Sequence, residues 1–371
     1  MQNDLRYYAM TLSFLSGFCL VYWWGAVLEP LITTGKLSYD LAGWLNALYF
    51  SALTTGLLLP LSQDRLRTAS VISIWLSLLF ISMLFFSSAF TLPLFMVFFG
   101  IFNGLWLRQL ILMDDRLKWM TAGLAMLGMA AGSFTGNITT EVISILAVIS
   151  SCLLIAGVLI SIKRKNLFLS AENSISFRDY LRSWKFWLSC TAVSLMLWTE
   201  VQYVIWQLFI PAYVSESGMY VVLHLLLFCI AVFRFAGSFF APGLKNILWL
   251  YLMAFLVTIS IGMFFTLQIY LFILLFSLGT AYFIPIFLRT TGQLAAIRLI
   301  LGIAFLFIAV MQPVTGHNAG YYTEFAQSIQ IPEPFIPLSV IQSIVKDIVI
   351  GPALVFILTG LSFLFRKKLS V

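Results

Sequence analysis

The chain alternates long apolar runs with short polar intervals, and this pattern continues from one end to the other. A helix that crosses a bilayer needs about 20 apolar residues. Cutting the sequence at charged residues, Gly and Pro leaves runs of about this length and predicts twelve transmembrane helices. The predicted spans are 9–32, 40–61, 69–89, 91–112, 119–139, 142–162, 186–213, 219–240, 246–267, 268–288, 295–314 and 344–365.

The first six spans and the last six share a fixed spacing. A shift of 181 positions carries Pro30 onto Pro211, Gly56 onto Gly237, Arg108 onto Arg289 and Asn137 onto Asn318. Many secondary transporters consist of two such copies, with the solute site between them. We therefore expect an all-α polytopic membrane protein made of two six-helix bundles, residues 1–162 and 186–371, joined by the segment 163–185.

The joining segment 163–185 is the longest charged stretch of the chain. Ser176 is suited to cap a short helix in which the apolar and aromatic residues share one face. These residues are Phe177, Tyr180, Leu181 and Trp184. Such a helix lies in the membrane surface, so the segment is expected to be a cytoplasmic amphipathic linker.

Composition supports the membrane assignment and excludes other classes. The chain is 61% hydrophobic and only 9% charged, whereas a soluble domain keeps roughly a quarter of its residues charged. The four cysteines never pair at CxxC spacing and only two histidines are present, so we expect neither a metal nor a cofactor. No phosphate-binding Gly-rich loop is present, which argues against an ATP-driven pump, and the basic residues lie at helix ends, which argues against a nucleic-acid partner.

The positions of Lys and Arg predict the orientation, because cytoplasmic loops carry an excess of them. With the amino terminus inside, the inner loops and tail hold nearly all of these residues. They include Arg65, Arg67, Arg116, Lys118, the run 163–165, Arg178, Arg182, Lys185, Lys245, Arg289 and the run 366–368. We expect a monomer in a bacterial cytoplasmic membrane, with both termini in the cytoplasm.

The loop between the second and third spans carries a recognisable charged motif. It reads GLLLPLSQDRLRTAS, with Gly56 first and the Asp64–Arg65 pair in the middle. This segment resembles the loop motif of the major facilitator superfamily, Gly-x-Leu-x-Asp-Arg-x-Gly-Arg. Pro60 and Arg67 stand where this motif has its two glycines. The resemblance implies the twelve-helix fold of that family and transport of a small solute by alternating access.

A second charged loop precedes the fifth span. Asp115 and Arg116 are followed by glycines four or five residues apart, and this run resembles the acidic loop and glycine-rich fifth helix of the same family. Ion pairs between this loop and Asp64, Arg65 and Arg67 would form a cytoplasmic latch that breaks when the inner side opens. The alternative is that these charges only set the topology.

Arg108 and Arg289 form a pseudo-symmetric pair near the inner ends of the fourth and tenth spans. Two readings remain open for this pair. One is a shared structural task at the cytoplasmic gate, and the other is a clamp for an anionic solute.

Glu200 is the strongest candidate for proton coupling. It lies about 22 Å from the inner membrane edge at 1.5 Å per residue, and ionisable groups at such depth are costly and usually functional. Tyr203 and Gln207 follow it on the same helical face. Desolvation favours the protonated form of a buried carboxyl, so Glu200 is suited to carry a proton; the alternative is a structural carboxyl bonded to neighbouring helices.

Four further residues complete the candidate cavity. Arg234 in the eighth span pairs with an anionic group or anchors the helix at the membrane surface. Glu29 is either interfacial or a second proton carrier. Trp23 and Trp24 stack on a planar or sugar-like solute or only pack, and the same two readings hold for Trp198 and Trp206. The expected partners are therefore a small-molecule substrate, H⁺ and the lipid bilayer.

A membrane enzyme that acts on lipid-linked substrates is the alternative function. Such acyltransferases or polymerases need a catalytic constellation at one membrane face, and only the predicted outer stretch 315–340, with His317 and Glu324, offers one. The repeat and the Asp64–Arg65 motif favour a transporter, so we do not expect an enzyme.

Overall fold

The computed structural model describes eight long parts of the chain. They cover residues 35–59, 88–112, 115–133, 184–209, 216–240, 247–265, 269–291 and 294–328, together with the short stretches and single positions 10, 11, 13, 14, 17, 18, 31, 32, 72, 180–182, 354 and 357.

Every regular element in these parts is an α-helix. The helices are α1 (Tyr39–Leu58), α2 (Ser88–Leu112), α3 (Asp115–Ser133), α4 (Trp184–Phe209), α5 (Glu216–Phe240), α6 (Ile247–Phe265), α7 (Ile269–Thr291) and α8 (Leu294–Ser328). They overlap eight of the twelve spans that the apolar pattern predicts. We call α1 to α3 the first half and α4 to α8 the second half.

The start of α1 shows how local sequence sets a helix boundary. Gly35 has a φ of 68° and turns the chain just before the helix, a conformation that suits glycine because it lacks a Cβ. The Ser38 side chain then accepts a hydrogen bond of 3.2 Å from the Leu41 amide, which satisfies one of the free amides of the first turn. Ser38 is therefore the N-cap of α1, as its sequence predicts.

Helix α1 packs closely against α2 because glycines line their contact. An added Cβ on Gly56 would lie 2.4 Å from the Ile101 carbonyl oxygen, and one on Gly104 would lie 2.1 Å from the Leu53 carbonyl oxygen. Small residues at such positions allow helix backbones to approach each other in a membrane. The Tyr49 hydroxyl and the Asn103 side-chain amide join the same two helices through a hydrogen bond of 3.0 Å.

Helix α8 lies antiparallel to α1 along its whole length and joins the two halves. Near one end Thr54 of α1 donates a hydrogen bond to the Gly302 carbonyl. Near the other end Gly316 of α8 contacts Tyr39 and Gly43 of α1. The contact between the halves therefore extends over the full height of α1.

The length of α8 differs from the sequence prediction. The predicted span ends at residue 314, with an outer loop from 315, but the helix continues to Ser328. Its 35 residues give a helix of about 52 Å at 1.5 Å per residue, longer than the roughly 30 Å apolar core of a bilayer. Gly316 and Gly320 do not end the helix because both pack against α1.

Gly237 of α5 lies where α3, α5 and α7 meet. A Cβ added there would lie 2.5 Å from the Trp119 ring of α3 and 3.0 Å from the Tyr282 ring of α7. The glycine thus lets two aromatic rings pack against α5, one from each half.

The outer surfaces of these helices are apolar. Three described segments have the length and hydropathy of a membrane span: Tyr39–Leu58, Thr91–Ile111 and Ala296–His317. Large exposed apolar residues follow one face of α1 and one face of α8: Leu41, Trp44, Leu48, Leu306, Val310 and Val314. Lipid is the solvent that suits such faces, and the chain is an integral, multi-pass membrane protein.

Candidate functional site

Helix α4 carries the residues that the sequence selects for proton coupling. It runs without a break from Trp184 to Phe209, so Glu200, Tyr203 and Gln207 all lie in its second part. The structure describes the side chains of this helix from Phe186 to Trp198. The three candidate side chains lie outside the described ones.

The first part of α4 shows which face of the helix meets the other half. Val193 and Met196 have no exposed surface. Val193 belongs to an apolar cluster that joins α4, α8 and the first half, and we call it the inter-half cluster. It includes Leu57, Ile111, Phe186, Val193, Ile297 and Ala304. Because the helix is unbroken, positions 200, 203 and 207 continue the register of Val193 and Met196 along α4.

Trp198 of α4, one of the aromatic residues that the sequence offers for stacking or packing, lies in this region. Its ring contacts Phe307 of α8 edge to face, with ring centroids 6.3 Å apart. Its indole N–H is buried and has no hydrogen-bond acceptor within the described part of the chain. A buried N–H normally has an acceptor, so Trp198 is a candidate donor to a bound solute.

Arg108, a predicted gate residue, lies at the Leu58 end of α1. Its side chain in α2 is only 2% exposed, and its guanidinium donates a hydrogen bond to the carbonyl oxygen of Leu59, the C-cap of α1. The partner of this arginine is thus the end of a helix in the same half. Arg289, its predicted counterpart, lies in α7, and its side chain is outside the described ones.

Arg298 is the residue that the sequence analysis missed. It lies in the first turns of α8, and its guanidinium donates a hydrogen bond of 3.0 Å to the Leu57 carbonyl oxygen. Leu57 and Leu59 are two residues apart, so Arg108 and Arg298 bind the same end of α1. The signal was present in the sequence, because Arg298 is an ionisable residue inside the predicted span 295–314.

The remaining gate residues have little described structure. Asp115 and Arg116 lie in the first turn of α3, with side chains outside the described ones. Asp64, Arg65 and Arg67 lie outside the described residues altogether. The latch that these residues are predicted to form stays a prediction.

Of the other cavity candidates, Arg234 is described by the structure and the remaining three are not. Arg234 lies in the last third of α5 and is half-buried, beside Phe235 at the point where α5 meets Gly123 of α3. It therefore lies at a second contact between the halves. Glu29, Trp23 and Trp24 lie outside the described residues.

The opposite end of α1 carries a different polar contact. The imidazole Nδ1 of His317 lies 3.3 Å from a carboxylate oxygen of Asp40, and the two side chains are 73% and 61% exposed. Asp40 lies in the first turn of α1, where the helix dipole favours a negative charge. His317 is part of α8 and not of a loop. This pair therefore connects the two halves at an exposed position.

The described residues offer little to hold a metal. No group of three or more His, Cys, Asp or Glu side chains lies close enough together among them to bind one. Cys190 and Cys229 are free thiols, with Cys190 buried. The chemistry of this region consists of amides, an indole and arginines.

These features define the class of protein. The protein is a multi-pass membrane protein, helical throughout its described elements, in which two halves meet along α1 and α8 and two arginines bind the end of α1 at one end of that contact. No protein-family model matches the sequence, and no curated protein matches it.

Solved structures of transporters match almost the whole chain. A mutant of the nucleoside transporter NupG matches with a TM-score of 0.61 at 15% identity, covering 97% of this chain and 100% of that one. The major facilitator superfamily transporter FucP, in its outward conformation, matches with a TM-score of 0.63 at 15% identity over 96% of this chain and 98% of that one. A further NupG structure matches with a TM-score of 0.58 at 15% identity, covering 99% and 100%. The chain therefore has the fold of the major facilitator superfamily transporters.

Proposed function

We propose that the protein is a secondary active transporter that moves a small solute across the membrane by alternating access, driven by protons. The observation that carries this proposal is the likeness to transporter structures over nearly the whole chain. The contact of α1 with α8 is consistent with it, because alternating access requires two halves that separate at one end at a time.

The end of α1 at Leu58 is proposed to be cytoplasmic. The loop that follows it carries Arg65 and Arg67, and cytoplasmic loops are enriched in such residues. The end at Tyr39 then faces the outside, with the Asp40–His317 pair. In this orientation both termini are in the cytoplasm. The membrane is proposed to be the bacterial inner membrane.

Glu200 is proposed as the proton-carrying residue. It follows Val193 and Met196 in the register of α4; both are fully buried, and Val193 belongs to the inter-half cluster. A carboxyl on that face is suited to take up a proton on one side and release it on the other as the halves move. Tyr203 and Gln207, one and two turns further on, are proposed to line the same path, with Glu29, Trp23, Trp24 and Arg234 as further cavity residues.

A neutral, ring-containing solute is proposed as the substrate class. NupG, one of the similar structures, is a nucleoside transporter. The indole N–H of Trp198 is suited to donate a hydrogen bond to a nucleobase or ribose oxygen. Aromatic rings also pack well on planar bases. Nucleosides are therefore the first probes to use.

The charged cytoplasmic residues are proposed to form the inner gate. Arg108 holds the end of α1 in the first half. Asp64, Arg65 and Arg67 follow that end in sequence, and Asp115 and Arg116 begin α3. The proposal keeps Arg289 as the counterpart of Arg108 in the second half.

Transport in proteoliposomes with an imposed pH gradient tests the proposal. Labelled uridine and adenosine serve as probes, and wild type is compared with Glu200→Gln, with Gln207→Glu as a control that keeps an acid on the same helix face. We expect a gradient to drive uptake in wild type and only gradient-independent exchange in Glu200→Gln. Equal gradient-driven uptake by both proteins removes Glu200 as the coupling acid, and no movement of any solute against a gradient removes the transporter proposal.

A further inference from the structure

The end of α1 at Leu58 leaves backbone carbonyls without partners inside the helix. The last four carbonyls of any helix lack such partners, and in a membrane no water is present to replace them. Here the Leu59 amide donates to the Thr55 carbonyl, while Leu57 and Leu59 accept from arginines. A cation at this end also complements the helix dipole.

The two arginines reach this end of α1 from different halves. Arg108 belongs to α2 and is 49 positions away from its acceptor, within the first half. Arg298 belongs to α8 and is 241 positions away from its acceptor, in the second half. When the halves move as bodies, the bond from Arg108 persists and the bond from Arg298 breaks.

We propose that Arg298 is the residue that locks the two halves together at the Leu58 end of α1, in a lock that opens once in each transport cycle. This inference rests on the proposed alternating access. Leu57 supplies the acceptor, and Arg108 keeps the helix end in shape. Arg298 is a gating residue and does not contact solute.

The surroundings of the bond suit a lock. Leu57 belongs to the inter-half cluster, and so do Ile297 and Ile300, the neighbours of Arg298 in α8. The bond is part-buried beside this cluster, and a hydrogen bond that is shielded from water is stronger than one in water.

The lock is also limited in strength. Two guanidinium groups bind carbonyls only two residues apart, and like charges near each other repel. This repulsion favours release of the one arginine that is free to leave with its own half. The closed and open states then stay close in free energy, as alternating access requires.

The opposite end of the same contact is built differently. There Gly43 and Gly316 bring the backbones of α1 and α8 together, and the Asp40–His317 pair is largely exposed. Loss of Arg298 is therefore expected to loosen one end of the contact and leave the other closed. This asymmetry distinguishes a lock from a residue that only stabilises the fold.

Hydrogen exchange of the full-length protein in lipid nanodiscs, without solute, tests the lock. Arg298→Gln is compared with wild type, with Arg298→Lys as the conservative variant. We expect peptides covering 54–59 and 294–302 to exchange about tenfold faster in Arg298→Gln, the lower range of what one hydrogen bond to a charged group contributes, while peptides covering 39–47 are unchanged. Arg298→Lys keeps a charged donor on a long side chain, whereas glutamine keeps only a shorter, neutral amide, so the lysine variant should show a smaller increase.

Two controls separate the lock from general effects. Arg108→Gln removes an arginine from the same helix end, one whose hydrogen bond to Leu59 lies within the first half, so it should speed exchange at 54–59 and leave 294–302 protected. Arg182→Gln removes an exposed arginine at the end of the linker and should change neither peptide.

Three results would overturn the inference: unchanged exchange at 294–302 in Arg298→Gln, equal acceleration at both ends of α1 in a variant that elutes as a monodisperse peak, or the same pattern in Arg108→Gln. A misfolded Arg298→Gln is recognised by its failure to elute as such a peak. In that case Arg298→Lys decides, because an unchanged 294–302 peptide in that folded variant, together with uptake at the wild-type rate, excludes the lock. The exchange pattern does not depend on the solute. Failure of uptake in wild type therefore counts against the proposed function alone.

Discussion

Gly43 of α1 lies directly against the backbone of Gln312 in α8. A Cβ added at Gly43 would be 2.6 Å from the Gln312 carbonyl oxygen and 3.1 Å from the Pro313 Cα. Both neighbours are backbone atoms, which cannot rotate away as a side chain does. The Tyr39 end of the contact thus closes through backbone packing, whereas the Leu58 end closes through the Arg298 hydrogen bond.

Gly43→Ala is expected to open the Tyr39 end of this contact. The added methyl has no space in the closed arrangement, and overpacking of this kind costs about 1–3 kcal/mol. Faster hydrogen exchange at 39–47 and 312–320, with no change at 294–302, is the predicted result. This pattern is the reverse of the one expected for Arg298→Gln.

Gly320→Ala is the matched control for this substitution. The nearest atom to its added Cβ would be the Tyr39 Cβ, at 3.3 Å, so a shift of a few tenths of an ångström relieves the contact. We expect near-normal exchange. If Gly43→Ala exchanges like wild type, the two helices are not in backbone contact at this end in solution.

The Asp40–His317 pair is expected to contribute little to the stability of the closed state. Both side chains are mostly exposed, and ion pairs in water contribute about 0–1 kcal/mol. A double-mutant cycle with Asp40→Asn and His317→Gln, read by thermal unfolding in detergent, should give a coupling energy in this range. A coupling well above it would mean that the pair is shielded from water in the assembled protein.

Gly104→Ala is expected to prevent correct packing of the first half, whereas Gly302→Ala is expected to be tolerated. The added Cβ at Gly104 would lie 2.1 Å from the Leu53 carbonyl oxygen, but the one at Gly302 would meet only atoms of the flexible Leu58 side chain, at 2.8 Å or more. The yield of monodisperse protein after extraction from the membrane measures the difference. Equal yields would show that α1 and α2 are further apart than described.

The positions of the helices follow largely from the apolar pattern. The helices α1 to α7 agree with predicted spans because each is a run of lipid-compatible residues between polar breaks. The end of α8 was predicted too early, because Gly316 and His317 resemble a loop in sequence. In the structure the same glycine is needed for close contact with α1, and this requirement depends on a helix far away in the chain.

The arginines show why the site was harder to predict than the fold. Arg108 was recognised as a gate candidate from its place at a helix end. Its partner is a backbone carbonyl, as is the partner of Arg298, and every residue carries such a group. Only the packing of α1 against α2 and α8 selects which carbonyls these side chains reach. Sequence alone therefore suggests that an arginine matters but not what it holds.

Trp198→Phe is expected to leave the stability of the protein nearly unchanged and to weaken solute binding. Phenylalanine keeps an edge-to-face contact with Phe307, a type of contact that contributes about 0.5–1.5 kcal/mol, and removes an indole N–H that has no acceptor in the described part of the chain. Trp198→Ala is the contrasting variant, because loss of a packed aromatic ring costs about 3–5 kcal/mol.

Thermal unfolding with and without uridine or adenosine separates these effects. Without solute, Trp198→Phe should unfold at the temperature of wild type and Trp198→Ala well below it. With saturating solute, wild type should gain more than Trp198→Phe, because a ligand that binds only the folded state raises its stability according to its affinity. If Trp198→Phe alone is as unstable as Trp198→Ala, the indole N–H has an acceptor within the protein and is not available to a solute.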